Sequence, residues 1–212
     1  MLKKSIFLYI LSLSSFFAYS QPKGFKPVTD LPAFKQSMQA TAISTQTIKC
    51  NFIQEKNLSV VSEKIISKGT FRFKKQNKVR MEYLQPFHYL LIINNDKVTI
   101  RDDQKTNSFS SRSNKLFTLI NTIIMDCVQG TALDNKDFSS SVFTNEKNNL
   151  IVLSPIKKEL QGFFQSIHVY LDVKDGSVYK IDMLEPSGDN TVITFTDKEI
   201  NGPLPDSEFN NN

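Results

Sequence analysis

From Ile48 onward, large apolar side chains recur at every second position. Ile48, Cys50, Phe52 and Gln54 point one way, while Lys49, Asn51 and Glu55 point the other. Ser67 to Lys74 repeats the pattern, with Phe71 and Phe73 on one side and Arg72 and Lys74 on the other. KKQNK makes a turn, after which Val79, Met81 and Tyr83 continue the apolar face and Arg80 and Glu82 the wet one. Side chains of a strand alternate between faces, so this spacing predicts antiparallel strands with one solvated side. Leu90 to Ile93 and Lys97 to Asp102 form a further hairpin through Asn94-Asn95-Asp96. Later strands are expected at Asn149 to Pro155, Phe164 to Val173, Val178 to Glu185 and Thr191 to Thr196, with turns at Lys174-Asp175-Gly176 and Ser187-Gly188-Asp189. Thr131 to Ser141 reads as irregular, and NGPLPDSEF as an extended tail.

Two stretches follow a helical period instead. In DLPAFKQSMQATAI, Leu31, Phe34, Met38 and Ala42 share a face, with Thr29 or Asp30 as cap and Pro32 in the first turn. In NKLFTLINTIIMDCVQG, residues 114–130, Leu116, Leu119, Ile120, Ile123, Cys127 and Val128 form a wide apolar stripe that Gly130 stops. The pattern therefore predicts roughly eight to eleven short antiparallel strands, one helix before them and one in their midst. A sheet with one apolar face must be covered, and these two helices are the available cover. A sheet bent around them encloses either a packed core or a hollow.

The N-terminus changes the picture of location. Lys3 and Lys4, the apolar run Ile6 to Ala18 and the small-x-small site Ala18-Tyr19-Ser20 predict a signal peptide over residues 1–20. A retained membrane anchor is the alternative, but the run is shorter than the roughly 20 residues a span needs. Residues 21–29, with two Pro and one Gly, read as a linker, leaving residues 30–212 as a single domain. No Cys follows the cleavage site, so no lipid anchor is expected. Loss of Lys3 and Lys4 takes the formal charge from +5 to +3 (5 − 2). That balance, without a dense Lys/Arg cluster, argues against nucleic acid. Cys50 and Cys127 could pair in an exported protein, tying the first strand to the second helix, or stay as buried thiols.

Catalytic chemistry is scarce. His88 and His168 are the only histidines among the 212 residues, and no HExxH, CxxC or nucleophile-elbow pattern occurs. His168, between Ile167 and Val169, reads as a strand histidine; Asp102-Asp103, Asp172 and Asp175 read as turn carboxylates. A Ser/His/Asp triad assembled from distant positions is compatible with the sequence, which offers no specific sign of one. No cofactor or metal is implied.

FIQEK, GTFRFKKQNKVRMEYLQPF, LLIINNDKVTIRD, KDGSVYKIDMLEPSGDNTVITF and a closing N-x-x-L-P-x-x-x-F occur in that order between Leu31 and Phe209. This series resembles the periplasmic outer-membrane lipoprotein carrier family, LolA. The resemblance implies a mainly β fold with helices: an unclosed antiparallel half-barrel covered by a helical lid. It implies a periplasmic, non-enzymatic carrier of acylated lipoproteins or lipids, working as a monomer between an inner-membrane lipoprotein-releasing complex and an outer-membrane acceptor. In the family's first hairpin, an Arg after the Lys points inward and holds the lid; here that position is Lys75, followed by Gln76 where Pro is common. Lys keeps the charge but lacks the planar five-donor fork, and a solvated turn lysine is the competing reading of Lys75. The acyl cavity would be lined by Phe52, Phe71, Phe73, Val79, Met81 and Tyr83 on the sheet and by Leu116, Leu119, Ile120 and Ile123 on the helix. On the residues alone these side chains could equally fill a solid core. Two rival functions share the chemistry: a lipid- or lipoprotein-binding sensor on the same fold, and a lipid-ester hydrolase.

Overall fold

The computed structural model describes residues 22–61, 63–110 and 115–210, with side chains omitted for 115–121. The expected signal peptide, residues 1–20, lies outside the described residues. The chain forms β1 (Lys26–Pro27), α1 (Leu31–Ser44), β2 (Thr47–Asn57), β3 (Lys64–Lys74), β4 (Lys78–Gln85), β5 (Tyr89–Asn94), β6 (Lys97–Asp102) and β7 (Thr106–Ser110). It continues as α2 (Lys115–Gln129), β8 (Phe138–Thr144), β9 (Asn148–Pro155), α3 (Lys158–Gln161), β10 (Ser166–Asp172), β11 (Val178–Leu184) and β12 (Asn190–Ile200). Single 3-10 turns occupy Ala132–Asp134 and Asp206–Phe209.

All the strands join one 12-stranded antiparallel sheet, in the order β1-β8-β9-β10-β11-β12-β2-β3-β4-β5-β6-β7. β1 and β7 are its free ends, so the sheet is an unclosed half-barrel, and the helices cover its apolar face. Three strands exceed the sequence reading. β1 lies inside the stretch expected to be a linker, where Lys26 and Pro27 pair with Thr144 and Phe143. β7 and β8 lie where hydropathy alternates poorly: β8 is FSSSVFT, in which only Phe138 and Val142 reach the core. Neighbouring strands on both sides supply the order that such a segment does not specify for itself.

Helix α1 begins where expected, with Asp30 Oδ1 accepting from the Ala33 amide at 2.9 Å and Pro32 in the first turn. Two solid cores lie under the cover. One packs Ile151, Leu153, Ile167, Val169 and Leu171 against Met38 of α1 and Ile123 of α2. The other packs Phe52, Phe73, Val79, Leu91, Ile93 and Val98 against Met125 of α2. Gly69 makes the second possible: a Cβ there would lie 2.6 Å from the Phe52 ring, which takes that space. A third, small core sits on the opposite face, where the tail lays Leu204 and Phe209 over Leu90 and Ile92. Lys78 reaches Asp206 at 2.8 Å, Arg72 reaches Glu208 at 2.8 Å, and Lys74 donates to the Leu204 carbonyl at 2.8 Å. The tail is thus strapped over β3, β4 and β5. Covered on both sides, β5 tolerates the unbroken run Leu90-Leu91-Ile92-Ile93, all buried.

Candidate functional site: a hollow under the lid

Between the two solid cores the apolar face is not filled. An open-sided cavity there holds about 950 Å³ free of protein atoms, its solvent-filled mouth included. Its floor is the middle of the sheet: Ile48 and Cys50 of β2, Phe71 of β3, Met81 of β4, Leu171 of β10, Val178 and Ile181 of β11, and Ile193, Phe195 and Ile200 of β12. Its roof is Met38, Thr41 and Ala42 of α1 and Ile124, Cys127 and Val128 of α2. The short side chains explain the space. Ala42, Thr41 and Cys127 are short members of the roof, whereas Ile123 and Met125 are the α2 side chains buried in the two cores. At the end of α2, Gly130 adopts φ 68°, and a Cβ there would come 2.8 Å from the Met38 carbonyl, so this glycine lets the two helices meet closely.

The lid is tied down mainly at one corner. Lys75 Nζ donates to the Ile43 carbonyl at 2.9 Å, near the end of α1, and Asn201 Nδ2 donates to the Ser44 carbonyl at 3.0 Å. Gln129 Nε2, at the end of α2, donates to Asn77 Oδ1 at 3.2 Å. Lys75 and Asn77 belong to the β3–β4 turn, where Gln76 and Asn77 have φ of 78° and 59°. Proline, locked near −65°, could not occupy Gln76 in this turn, so the turn is a different one from a Pro-containing hairpin. Lys35 of α1 forms an ion pair with Asp134, just after α2.

Of the expected cavity residues, Phe71 and Met81 border the hollow, although both also belong to the second core. Phe52, Phe73 and Val79 are spent in the second core and Ile123 in the first. Tyr83 stacks edge-on against Phe52 at 4.9 Å and donates its hydroxyl to Gln54 Oε1 at 2.9 Å. The side chains of Leu116, Leu119 and Ile120 lie outside the described residues. Missing from the sequence reading are the contributions of β10, β11 and β12 and of the end of α1. Ile193 and Phe195 lie within the strand expected at Thr191 to Thr196, but nothing local announced that β12 lies beside β2.

The wall of the hollow includes Cys50, Cys127, Ser177 and Lys198. Cys50 and Cys127 are both free thiols on its walls. Burial pushes each up to about 12, so neither is a thiolate nucleophile at neutral pH. Ser166 Oγ lies 3.3 Å from His168 Nε2, and His168 stands opposite Asp182 across β10 and β11. These three occupy the sheet face away from the cavity, since Ile167 and Val169 are the residues of β10 that enter the core. Burial lowers the His168 pKa, with the Asp182 charge opposing it. His88 Nε2 sits 3.1 Å from Glu82 Oε1 beside Arg80, again on an outward face. Among the described residues no group of His, Cys, Asp and Glu is arranged to hold a metal, and no helix is long and apolar enough to cross a membrane.

A family model described as outer membrane lipoprotein carrier protein LolA matches residues 43–212. No curated protein matches the chain. Among solved structures, an uncharacterized conserved protein from Thermus thermophilus is similar in fold, with a TM-score of 0.51 at 9% identity over 84% of this chain and 91% of that one. A LolA superfamily protein from Nitrosomonas europaea gives 0.44 at 10% identity over 83% of this chain and 97% of that one. A putative outer membrane lipoprotein-sorting protein domain from Vibrio parahaemolyticus gives 0.46 at 11% identity over 83% and 95%.

Proposed function

Since this chain belongs to the LolA family of outer membrane lipoprotein carrier proteins, we propose that it is a periplasmic, non-enzymatic carrier. It takes the acyl chains of lipoproteins into the hollow under α1 and α2 and shuttles them from the inner to the outer membrane. The observation that carries this reading is the unfilled, almost wholly apolar space at the centre of the sheet. Each CH₂ moved from water to such a site gains about 0.8 kcal/mol, so a chain of ~16 carbons gains on the order of 12 kcal/mol before costs. A cargo of that kind needs shelter in an aqueous compartment. It must also be released, which favours an open-sided hollow with a movable roof and adaptable walls such as Phe71, Phe195 and Met81.

The lid works with few tethers. The Lys75 bond to α1 is a single exposed hydrogen bond of the kind worth about 0.5–1.5 kcal/mol, enough to bias an empty lid shut and weak enough for cargo to break. Reception from an inner-membrane releasing complex, delivery to an outer-membrane acceptor and export by the N-terminal signal are parts of the same proposal.

Native mass spectrometry of the protein isolated from the periplasm tests the reading. The expected result is a bound lipoprotein or lipid that exchanges for added acyl ligand. A mass of the bare chain that takes up none overturns it. Depletion in the cell is expected to leave lipoproteins in the inner membrane; correct lipoprotein location with an altered envelope stress response would instead mark a sensor.

A further inference from the structure

The β12 strand carries an irregularity exactly where it borders the hollow. Thr196 stands opposite Asn51 and Glu199 opposite Lys49, so Asp197 and Lys198 together face the single residue Cys50. Asp197 takes φ 53° to make this bulge. The consequence is a change of which side chains point inward. Ile193 and Phe195 line the cavity, and strict alternation would send Asp197 and Glu199 in after them. With the extra residue, Lys198 and Ile200 line it instead. The bulge exchanges two carboxylates for one ammonium and one hydrocarbon.

Lys198 is the charged side chain in the cavity wall, and only 18% of it is exposed. Its Nζ donates to Ser177 Oγ, while Asp175 Oδ2 stands off at 4.0 Å. Asp175 holds Ser177 through its other oxygen, Oδ1 accepting from the Ser177 amide at 2.8 Å and hydroxyl at 2.6 Å. An ammonium has three donors, and the bond to Ser177 uses one of them on a side chain that lines the hollow. The turn carrying Asp175 and Ser177 is pressed against the lid: a Cβ on Gly176 would lie 2.9 Å from Thr41 Oγ1. There the apolar cavity adjoins a second, more polar recess of about 520 Å³, mouth included, which shares Met38, Thr41, Leu171 and Gly176 with it and adds Lys174 and Asp175.

We propose that Lys198, held by Ser177, is a head-group site. It takes the acceptor oxygens of an acyl amphiphile, a carboxylate or an ester carbonyl, whose tail fills the hollow between Phe71, Phe195 and Ile124. This rests on the acyl-binding reading above and adds orientation to it: tails enter with their polar end at the β11–β12 side, beside the lid. A hydrogen bond to a charged donor in an apolar wall is worth more than one in water, so the head sets the direction while the tail supplies the affinity.

The test is displacement of the neutral dye Nile red by hexadecane, methyl palmitate and palmitate, on the wild type, Lys198→Met, Lys198→Arg and Ser177→Ala, with the dye affinity measured on each. In Lys198→Met the ratio of palmitate to hexadecane affinity is expected to fall by about tenfold, and Lys198→Arg to restore it. Ser177→Ala, which leaves the charge but loosens its hold, is expected to lower the ratio several-fold and serves if Lys198→Met does not fold. Whether methyl palmitate follows palmitate or hexadecane distinguishes an ester from a carboxylate as the preferred head. An unchanged ratio in Lys198→Met and Ser177→Ala overturns the head-group site and leaves the acyl cavity standing. Failure of all three ligands to displace the dye from the wild type overturns the acyl-binding reading itself.

Discussion

The flanks and the centre of this sheet start from the same alternation and end differently. On the flanks, Ile167 and Val79 have no measurable exposure, and Phe52 is 1% exposed. Each is met from the other side by Met125, Met38 or Ile123. In the centre, Ile193 and Phe195 are only half-buried, and the roof over the cavity mixes the short Ala42, Thr41 and Cys127 with Met38, Ile124 and Val128. The difference lies less in the strands than in what the helices bring to them. Solid packing at both ends supports the sheet, so the middle can go without filling. A protein that had to be stable and hollow at once would gain from this separation, because cavities are costly where a core is otherwise close-packed.

Substitutions can break the contrast. Phe52→Ala is expected to have the largest effect, a loss of about 3–5 kcal/mol in urea unfolding, since its ring fills the space over Gly69. Acyl affinity of the folded fraction should hardly move; a large fall would show that the flank shapes the site after all. Enlarging side chains gives the paired comparison. Val169→Phe in the flank should cost about 1–3 kcal/mol by overpacking and spare binding. Val178→Phe in the cavity wall should change stability by under about 1 kcal/mol yet weaken acyl binding at least tenfold, read by the same dye displacement. Equal stability costs at the two sites would mean that the centre is as full as the ends.

Lys75→Met sharpens the role of the lid corner. Stability should fall by about 0.5–1.5 kcal/mol at most, while stopped-flow uptake and release of an acyl ligand accelerate. Unchanged rates would make Lys75 a turn lysine that happens to reach Ile43. The smallest effect belongs to the outer strap. Hydrogen bonds from Lys74 and then Lys78 hold the Asp206 carboxyl down to about 2, below its ordinary 3.8. A lowered carboxylate pKa means stability that is present above 3.8 and lost as pH falls through about 2. Asp206→Asn should therefore flatten only that acid part of the unfolding profile, and by little, because the pair is exposed.

Much of the fold was legible. Period-two runs located β2, β3 and β4, because the direction of a strand side chain is a property of the local backbone, and β5, β6 and β9 to β12 were found as apolar stretches between turn residues. The helical stripe over residues 114–130 located α2 (Lys115–Gln129), and Gly130 its end. β8 escaped because FSSSVFT sets three serines between Phe138 and its other apolar residues, and β7 because TNSFS offers one apolar residue. The run Leu90 to Ile93 carried a signal of double-sided burial, whose cause is the tail bringing Leu204 and Phe209 to it from more than a hundred positions away.

The sequence by itself determined which side chains share a face on the regular stretches of strand and helix, and the ordered blocks identified the family. Where those inward faces meet was decided by tertiary structure alone. β12 lies against β2 because the chain returns after more than a hundred residues, and that pairing moves the hollow from the first hairpin to the middle of the sheet. The fate of Phe52, Phe73 and Val79 as packing, and of Lys198 as an inward charge, hangs on the same return. A period-two pattern tells which face a residue takes; it carries no information about the neighbour that will stand opposite, or whether anything will stand there at all.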